Sequence, residues 1–397
     1  MKTGIAQTYF QHIKNIGIEF AKKPLGSVVF GPTPPNVFVG HEGYPNVFVG
    51  PLVSIDEAAS ASLSDNPAAW ASLGYEQIIS LRAGMARGMK KHSVRKSSQL
   101  LEEMQLSVLS QKPVDVEVKF KKKPEFHFSF SSFTPPMGPT GVMESMRLAG
   151  NPSIPKKVDE FAGEKIKVRD AIGELVKSGL DNYYLQKLLS AGVLGEKKKL
   201  VPTRWSITGM DKILADHYLE SVKETPHLGE ITLYSHEHFD NHYEILLLPG
   251  AWEFEQFEAW APHLASGSSH ELSPSGSNWY PEQTTIAHEW EPFEGRSDYA
   301  ESEGGGYYSG RFGVAEALWK MKRQARAIVF REISEDYKVP LGSWQIKEGV
   351  ANAFKKPPLK FQTLKQALEH LKTKLKAPIG AYLKKSNVLR QKTLGEF

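Results

Sequence analysis

The hexapeptide Pro35-Asn36-Val37-Phe38-Val39-Gly40 returns ten residues later as Pro45-Asn46-Val47-Phe48-Val49-Gly50, and no other feature constrains local folding as tightly. Valine alternates with phenylalanine inside each copy while proline and glycine close the ends. Each copy therefore reads as a short strand, and the pair as a β-hairpin or meander. Two copies are too few for a solenoid, in which every repeat stacks on its neighbours. The same alternation marks Val114–Phe120, and Ile231–Tyr234 and Tyr243–Leu248 are further strand candidates.

Helical spacing takes over elsewhere. From Asn66 to Gln111 apolar faces run through Ile78, Ile79 and Leu81 and then Leu100, Leu101, Met104 and Leu106. Val168 to Leu194 reads as a helix pair built on Ile172, Leu175, Val176, Leu185, Leu188 and Leu189, and Val314 to Phe330 as one helix through Leu318, Met321 and Ile328. Leu364, Leu368, Leu371 and Leu375 define an amphipathic helix with Lys365, Lys372 and Lys376 turned outward; Pro378 ends it, leaving Gly380 to Arg390 as a tether for the last residues. At 397 residues the chain exceeds what one core serves. The expected fold is α+β: a mixed sheet with packed helices, two lobes and a basic helical C-terminal tail. Residues 1–155 form an N-terminal α+β region with the repeated hairpin and a basic helix, 156–354 a C-terminal α+β core, and 355–397 a basic helix, tether and terminal peptide.

The chain has no cysteine, which excludes disulfides, thiolate nucleophiles and cysteine-ligated metal centres. The longest apolar run, at Ile245–Leu248, is far short of a membrane span, and Met1 to Lys23 lacks the apolar core of a secretory signal; a cytoplasmic, nucleoid-associated location is expected. The net charge of +4 is unevenly placed: residues 355–397 carry +9 and the rest −5. A second basic stretch runs from Arg82 to Lys123, whereas Glu253 to Glu303 holds eleven acidic residues against Arg296 alone. Such asymmetry fits polyanion contacts at two places and a separate acidic surface, or solvated helix faces.

Several constellations bear on chemistry. His236-Glu237-His238-Phe239-Asp240-Asn241-His242 resembles the metallo-β-lactamase signature His-x-His-x-Asp-His but holds one residue too many, which rotates His242 away from the others; a polar hairpin loop is the competing reading, and no metal site is assigned. Gly304-Gly305-Gly306 leads into a helix whose N-terminus would cradle a phosphate or simply be capped. Glu289, Glu291, Glu294, Asp298 and Glu301 offer an acid–base pair or a solvated loop. Arg82, Arg87, Arg204 and Arg331 are candidate nucleic-acid or phosphate contacts, Arg87 standing four residues before Lys91 on the stretch read as helical. No P-loop is present, and the residues assign neither a cofactor nor a definite catalytic group.

The last seven residues, Gln391-Lys392-Thr393-Leu394-Gly395-Glu396-Phe397, spell Gln-x-x-Leu-x-x-aromatic. Residues three apart stack on one side of a 3₁₀ turn, so Leu394 and Phe397 would form one apolar plug with Gln391 beside it. The pattern resembles the PCNA-interacting peptide of proteins that ride the replication sliding clamp. The body has a likeness of its own. Val201-Pro202-Thr203-Arg204-Trp205-Ser206-Ile207-Thr208, the two Val-Phe-Val-Gly blocks, Pro135-Pro136-Met137-Gly138-Pro139 and Leu188-Leu189-Ser190-Ala191-Gly192 resemble the archaeal Nre family of DNA repair proteins. So do Leu247-Leu248-Pro249-Gly250-Ala251-Trp252-Glu253-Phe254-Glu255, Gly305-Gly306-Tyr307-Tyr308, Arg331-Glu332-Ile333 and Pro340-Leu341-Gly342-Ser343-Trp344.

The resemblance implies a role in DNA damage repair and docking to the PCNA clamp through Gln391, Leu394 and Phe397, with DNA as a further partner. Many family members look as though they carry a cysteine-rich zinc segment before the first Val-Phe-Val-Gly block, where this chain has Ile18-Glu19-Phe20-Ala21-Lys22. The resemblance supplies no catalytic residue. The expectation is a clamp-recruited repair factor; the alternatives are a nuclease-like phosphoester-processing enzyme drawing on Arg204, Arg331, Glu332 and the acidic Glu289 to Glu301 loop, and a metal hydrolase using His236, His238 and His242.

Overall fold

The computed structural model describes Asn15 and residues 25–55, 58–126, 129–260, 285–334, 336–337 and 339–390. Two six-stranded mixed sheets and twelve helices among these residues make an α+β fold, as expected. The chain divides into two compact units, Met1–Ile213 and Leu214–Phe397. Among the described residues no helix is long and apolar enough to cross a membrane.

In the first unit the strands are β1 (Val28–Thr33), β2 (Val37–Val39), β3 (Asn46–Ser54), β4 (Met85–Ser93), β5 (Val114–Phe120) and β6 (Thr140–Leu148), in the order β1-β5-β6-β4-β3-β2. The repeated hexapeptides become an antiparallel pair in which Val39 lies opposite Val49. Val37, Val39, Val47 and Val49 are buried while Phe48 faces out, which is the alternation a strand with one core face requires. Gly50 has no room for a side chain, because a Cβ there would lie 1.9 Å from the Gly88 carbonyl oxygen on β4.

The stretch expected to be helical through Gln111 is broken. Helices α1 (Ala58–Leu63), α2 (Pro67–Trp70) and α3 (Tyr75–Ala83) stop at Gly84, and Met85–Ser93 is β4. Arg87, Lys90 and Lys91 therefore sit on a strand. Its helix-forming residues are overridden because β4 finds ladder partners on both sides, antiparallel to β3 and parallel to β6. Helix α4 (Gln99–Leu109) follows, with the Ser98 hydroxyl accepting from the Leu101 N–H as its cap. After α5 (Lys156–Gly163) the expected helix pair appears as α6 (Val168–Lys177) and α7 (Asn182–Ala191), started by Asp181 and ended by left-handed Gly192. Helix α8 (Thr203–Val222), unforeseen as a helix, contains the boundary between the units.

In the second unit the strands are β7 (Ile231–His238), β8 (Asn241–Leu248), β9 (Glu253–Trp260), β10 (Thr285–Glu291), β11 (Arg326–Ile333) and β12 (Leu359–Phe361), ordered β10-β9-β11-β8-β7-β12. The helix expected over 314–330 is instead α9 (Gly305–Met321), closed by left-handed Lys322, and Ile328 belongs to β11. The run Ala327-Ile328-Val329-Phe330 is buried on both faces of a central strand, so it shows no alternation and mimics a buried helix. Helix α10 (Trp344–Ala353) shares one sheet face with α9, as ring contacts of Phe254 with Tyr307 and of His238 with Trp344 record. Helices α11 (Leu364–Lys374) and α12 (Ile379–Lys385) cover the other face, where Leu371, Leu375, Ile379, Tyr382 and Val388 share a core with Leu246, Phe257 and Phe330.

Candidate functional site

The sheet face under α9 and α10 is unusually polar. Strand register sets Tyr243, Arg331 and Glu258 side by side on β8, β11 and β9. Arg331 donates from Nη1 to Glu258 Oε1 at 2.5 Å and from Nε to Asn241 Oδ1 at 2.9 Å. Burial alone would lower the Arg331 pKa, but Glu258 with Tyr243 and Tyr337 holds it above the ordinary arginine value. Glu303, also buried, has no hydrogen-bond partner on either carboxylate oxygen among the described residues; the Gln256 amide lies beside it without closing a bond. Burial, then the neighbouring Glu258 and Glu289, push its pKa well above the usual carboxylate range.

Toward the sheet edge Glu289 and Glu291 are each paired. Glu289 accepts from Arg296 Nη1 and from the Ser302 N–H, each at 2.8 Å. Glu291 takes a bidentate pair from Arg311 at 2.8 and 2.9 Å and also accepts from Trp252 Nε1 and the Tyr307 hydroxyl. Arg311 reaches Asp216 at 2.9 Å as well. Helix α9 approaches this row through glycine: a Cβ on Gly306 would stand 2.3 Å from Glu258 Oε1, and one on Gly310 1.9 Å from Gln256 Oε1. The glycine-rich start thus serves close packing on Glu258. Of the carboxylates considered for acid–base work, Glu289 and Glu291 are buried in these pairs, while Glu294, Asp298 and Glu301 are exposed.

The opposite face uses carboxylates differently. Glu332 accepts from the Lys376 N–H at 2.7 Å and, on its other oxygen, from the Ala377 N–H and the Tyr382 hydroxyl at 2.8 Å. Glu255 accepts from His288 Nε2 at 2.8 Å, from the Ser386 hydroxyl and from the Asn387 N–H. Arg326 donates to the Val388 carbonyl, and Arg390 Nε to that of Ser386 at 2.7 Å. The stretch expected as a tether is therefore packed on the sheet through Arg390, because two buried carboxylates need the N–H and O–H groups it supplies. Arg331 and Glu332, adjacent in sequence, point to opposite faces and form no common pocket.

The arginines expected in the first unit are engaged locally. Arg82 is sealed, donating to the Pro136 and Ser64 carbonyls at 2.7 and 2.8 Å and pairing with Asp65, which Lys187 also binds; burial lowers its pKa. The Arg87 guanidinium lies 3.8 Å from the centre of the Phe38 ring, and burial lowers its pKa to about 10. Arg204 stacks at the same distance on Phe133 and stays half-buried beside exposed Trp205. The clamp-like residues Gln391, Leu394 and Phe397 lie outside the described residues.

The histidine cluster resolves into a hairpin. Phe239 and Asp240, at φ 48° and 55°, make the two-residue turn between β7 and β8. His236 and His238 share one face with ring centres 5.9 Å apart, whereas His242 lies opposite Glu237 in the register and projects from the other face toward Glu244 at 2.9 Å. Among the described residues no three histidine or carboxylate side chains converge to hold a metal. Burial lowers the His238 pKa to about 4, with His236 adding to the shift.

Sequence reading missed the pairing of Glu258 with Arg331, the pinning roles of Glu255 and Glu332 and the helix that begins at Thr203. A signal existed: in Glu253-Phe254-Glu255-Gln256-Phe257-Glu258 polar residues recur on both faces of a strand set between apolar ones, a pattern that requires buried partners.

Fold and site define a two-unit α+β protein in which most of the buried charges described above are paired or hydrogen-bonded, Glu303 excepted, and whose basic C-terminal layer is anchored to a sheet. The family models for archaeal Nre, N-terminal, and archaeal Nre, C-terminal, match residues 10–265 and 291–397. The chain belongs to the archaeal Nre family. It is 37% identical to DNA repair protein NreA of Archaeoglobus fulgidus over 87% of this chain and 84% of that protein. It is 32% identical to DNA repair protein NreB of the same organism over 93% and 92%, and 31% identical to DNA repair protein NreA of Haloferax volcanii over 95% and 90%. No solved structure matches the protein.

Proposed function

We propose that the protein is a DNA repair factor brought to DNA by the PCNA sliding clamp through Gln391, Leu394 and Phe397. The DNA repair part rests on family membership and on relatives named DNA repair proteins that align along most of both chains. The clamp part rests on one observation, the terminal Gln-x-x-Leu-x-x-Phe spacing. Leu394 and Phe397 enter an apolar pocket as one plug, and Gln391 fixes its orientation by hydrogen bonding. Clamp binding then raises the local concentration of the folded body at DNA.

Titration calorimetry of the full chain against purified archaeal PCNA tests this reading. Changing Leu394 and Phe397 to alanine removes both anchors, and the expected loss is at least about 30-fold in affinity, with the thermal midpoint unchanged. Equal affinity of the variant and the native chain would overturn the clamp assignment.

A further inference from the structure

We propose that the outward side of the α11–α12 layer is a contact surface for the phosphate backbone of duplex DNA. The proposal rests on the DNA repair reading and not on clamp docking. Residues 364–390 expose Lys365, Lys372, Lys374, Lys376, Lys384 and Lys385, with Arg390 at the end, against one carboxylate, Glu369, which pairs with Lys372. The inward sides of both helices are in the apolar core with Leu246, Phe257 and Phe330. One layer thus divides into an apolar side that meets the sheet and a cationic side that meets solvent.

Two features set this surface apart from an ordinary solvated helix face. Its charge is almost of one sign, in a chain whose residues before Lys355 sum to −5. Its backbone is fixed, because Glu332 holds Lys376, Ala377 and Tyr382 while Glu255 holds Ser386 and Asn387. A fixed array of cations loses less freedom on binding than lysines on a loose tail. Helix α11, with 11 residues, is about 16 Å long, a length over which duplex DNA carries about nine phosphates. Lysine acts there as a point charge without base recognition, so binding is insensitive to sequence and strongly dependent on salt.

Fluorescence anisotropy of the full chain with a labelled duplex of about 25 base pairs, across a salt series, reads this directly. Lys372→Glu, Lys376→Glu, Lys384→Glu and Lys385→Glu combined should weaken binding at least about tenfold and flatten the slope of log affinity against log salt by about 3. The four lysine-to-glutamine changes should give a smaller loss in the same direction. These side chains are exposed, so the thermal midpoint should stay put and report an intact fold. Unchanged affinity and slope would overturn the proposal, as would variants that lose affinity for clamp in the absence of DNA while keeping affinity for duplex. Deleting Gln391 to Phe397 should leave duplex binding in place, so the clamp reading and this one can fail separately.

Discussion

On one face of the second sheet, buried Glu258, Glu289 and Glu291 meet arginine side chains; on the other, Glu332 meets backbone N–H groups and a hydroxyl of the chain's own C-terminal layer, and Glu255 does the same while also accepting from His288. An ion pair brings a second charge into the core and must offset two desolvation costs. A carboxylate held by N–H and O–H groups brings in only one, and in return orders the segment that carries the donors. The first arrangement ties strands and helix α9 into a single block. The second fastens a separate basic layer to that block, which gives the layer a position without making the fold depend on its charges.

Breaking the ionic face should have the largest effect. Arg331→Met leaves Glu258 buried and unpaired beside Glu303, and urea denaturation of the full chain should show a loss of about 3–5 kcal/mol. A loss below that of Glu332→Gln would erase the difference between the faces.

Acid should act on the ionic face next. The folded His238 titrates at about 4, below its ordinary 6.5, so between these values the unfolded chain binds the proton and the native chain does not. Its contribution is present above pH 6.5 and is lost as pH falls toward 4, amounting to about 3 kcal/mol. His238→Phe should flatten the stability profile across that window, and an unaltered profile would contradict the assignment.

The smallest effect belongs to the pinning face. Glu332→Gln keeps the shape but replaces one acceptor oxygen by a donor facing N–H groups, at a cost of about 2 kcal/mol. Hydrogen exchange should show the Lys376 and Ala377 amides losing protection while those of β9 and β11 keep theirs. Equal loss in the strands would mean that the layer is part of the block after all.

Much of the architecture was legible in the residues, for reasons that differ by element. The hexapeptide hairpin, Val114–Phe120 and the helix pair at 168–194 show clear periods of two or 3.6, because each buries only one side. The first part of β11 reads as helix because both its faces are covered, and β4 because its composition favours a helix that its neighbours overrule. The acidic stretch looked solvated in the sequence because Arg331 and Arg311 are distant in the chain from Glu258 and Glu291, and charges separated in sequence carry no sign of their pairing. The tether at 380–390 failed for the same reason: nothing local tells Ser386 that Glu255 awaits it.

The sequence alone determined the absence of thiol chemistry, the alternating strands, the concentration of positive charge after residue 355 and the terminal peptide pattern, all properties of composition or near-neighbour spacing. Family membership was also visible there, since runs of unusual residues survive without their contacts. Tertiary structure alone decided that Arg331 and Glu332 part to opposite faces with different partners, that His242 finds Glu244, and that the basic layer up to Arg390 lies fixed on a sheet. Each of those outcomes depends on which distant partner satisfies a buried polar group, and a burial cost of several kcal/mol settles that choice only once the chain has closed on itself.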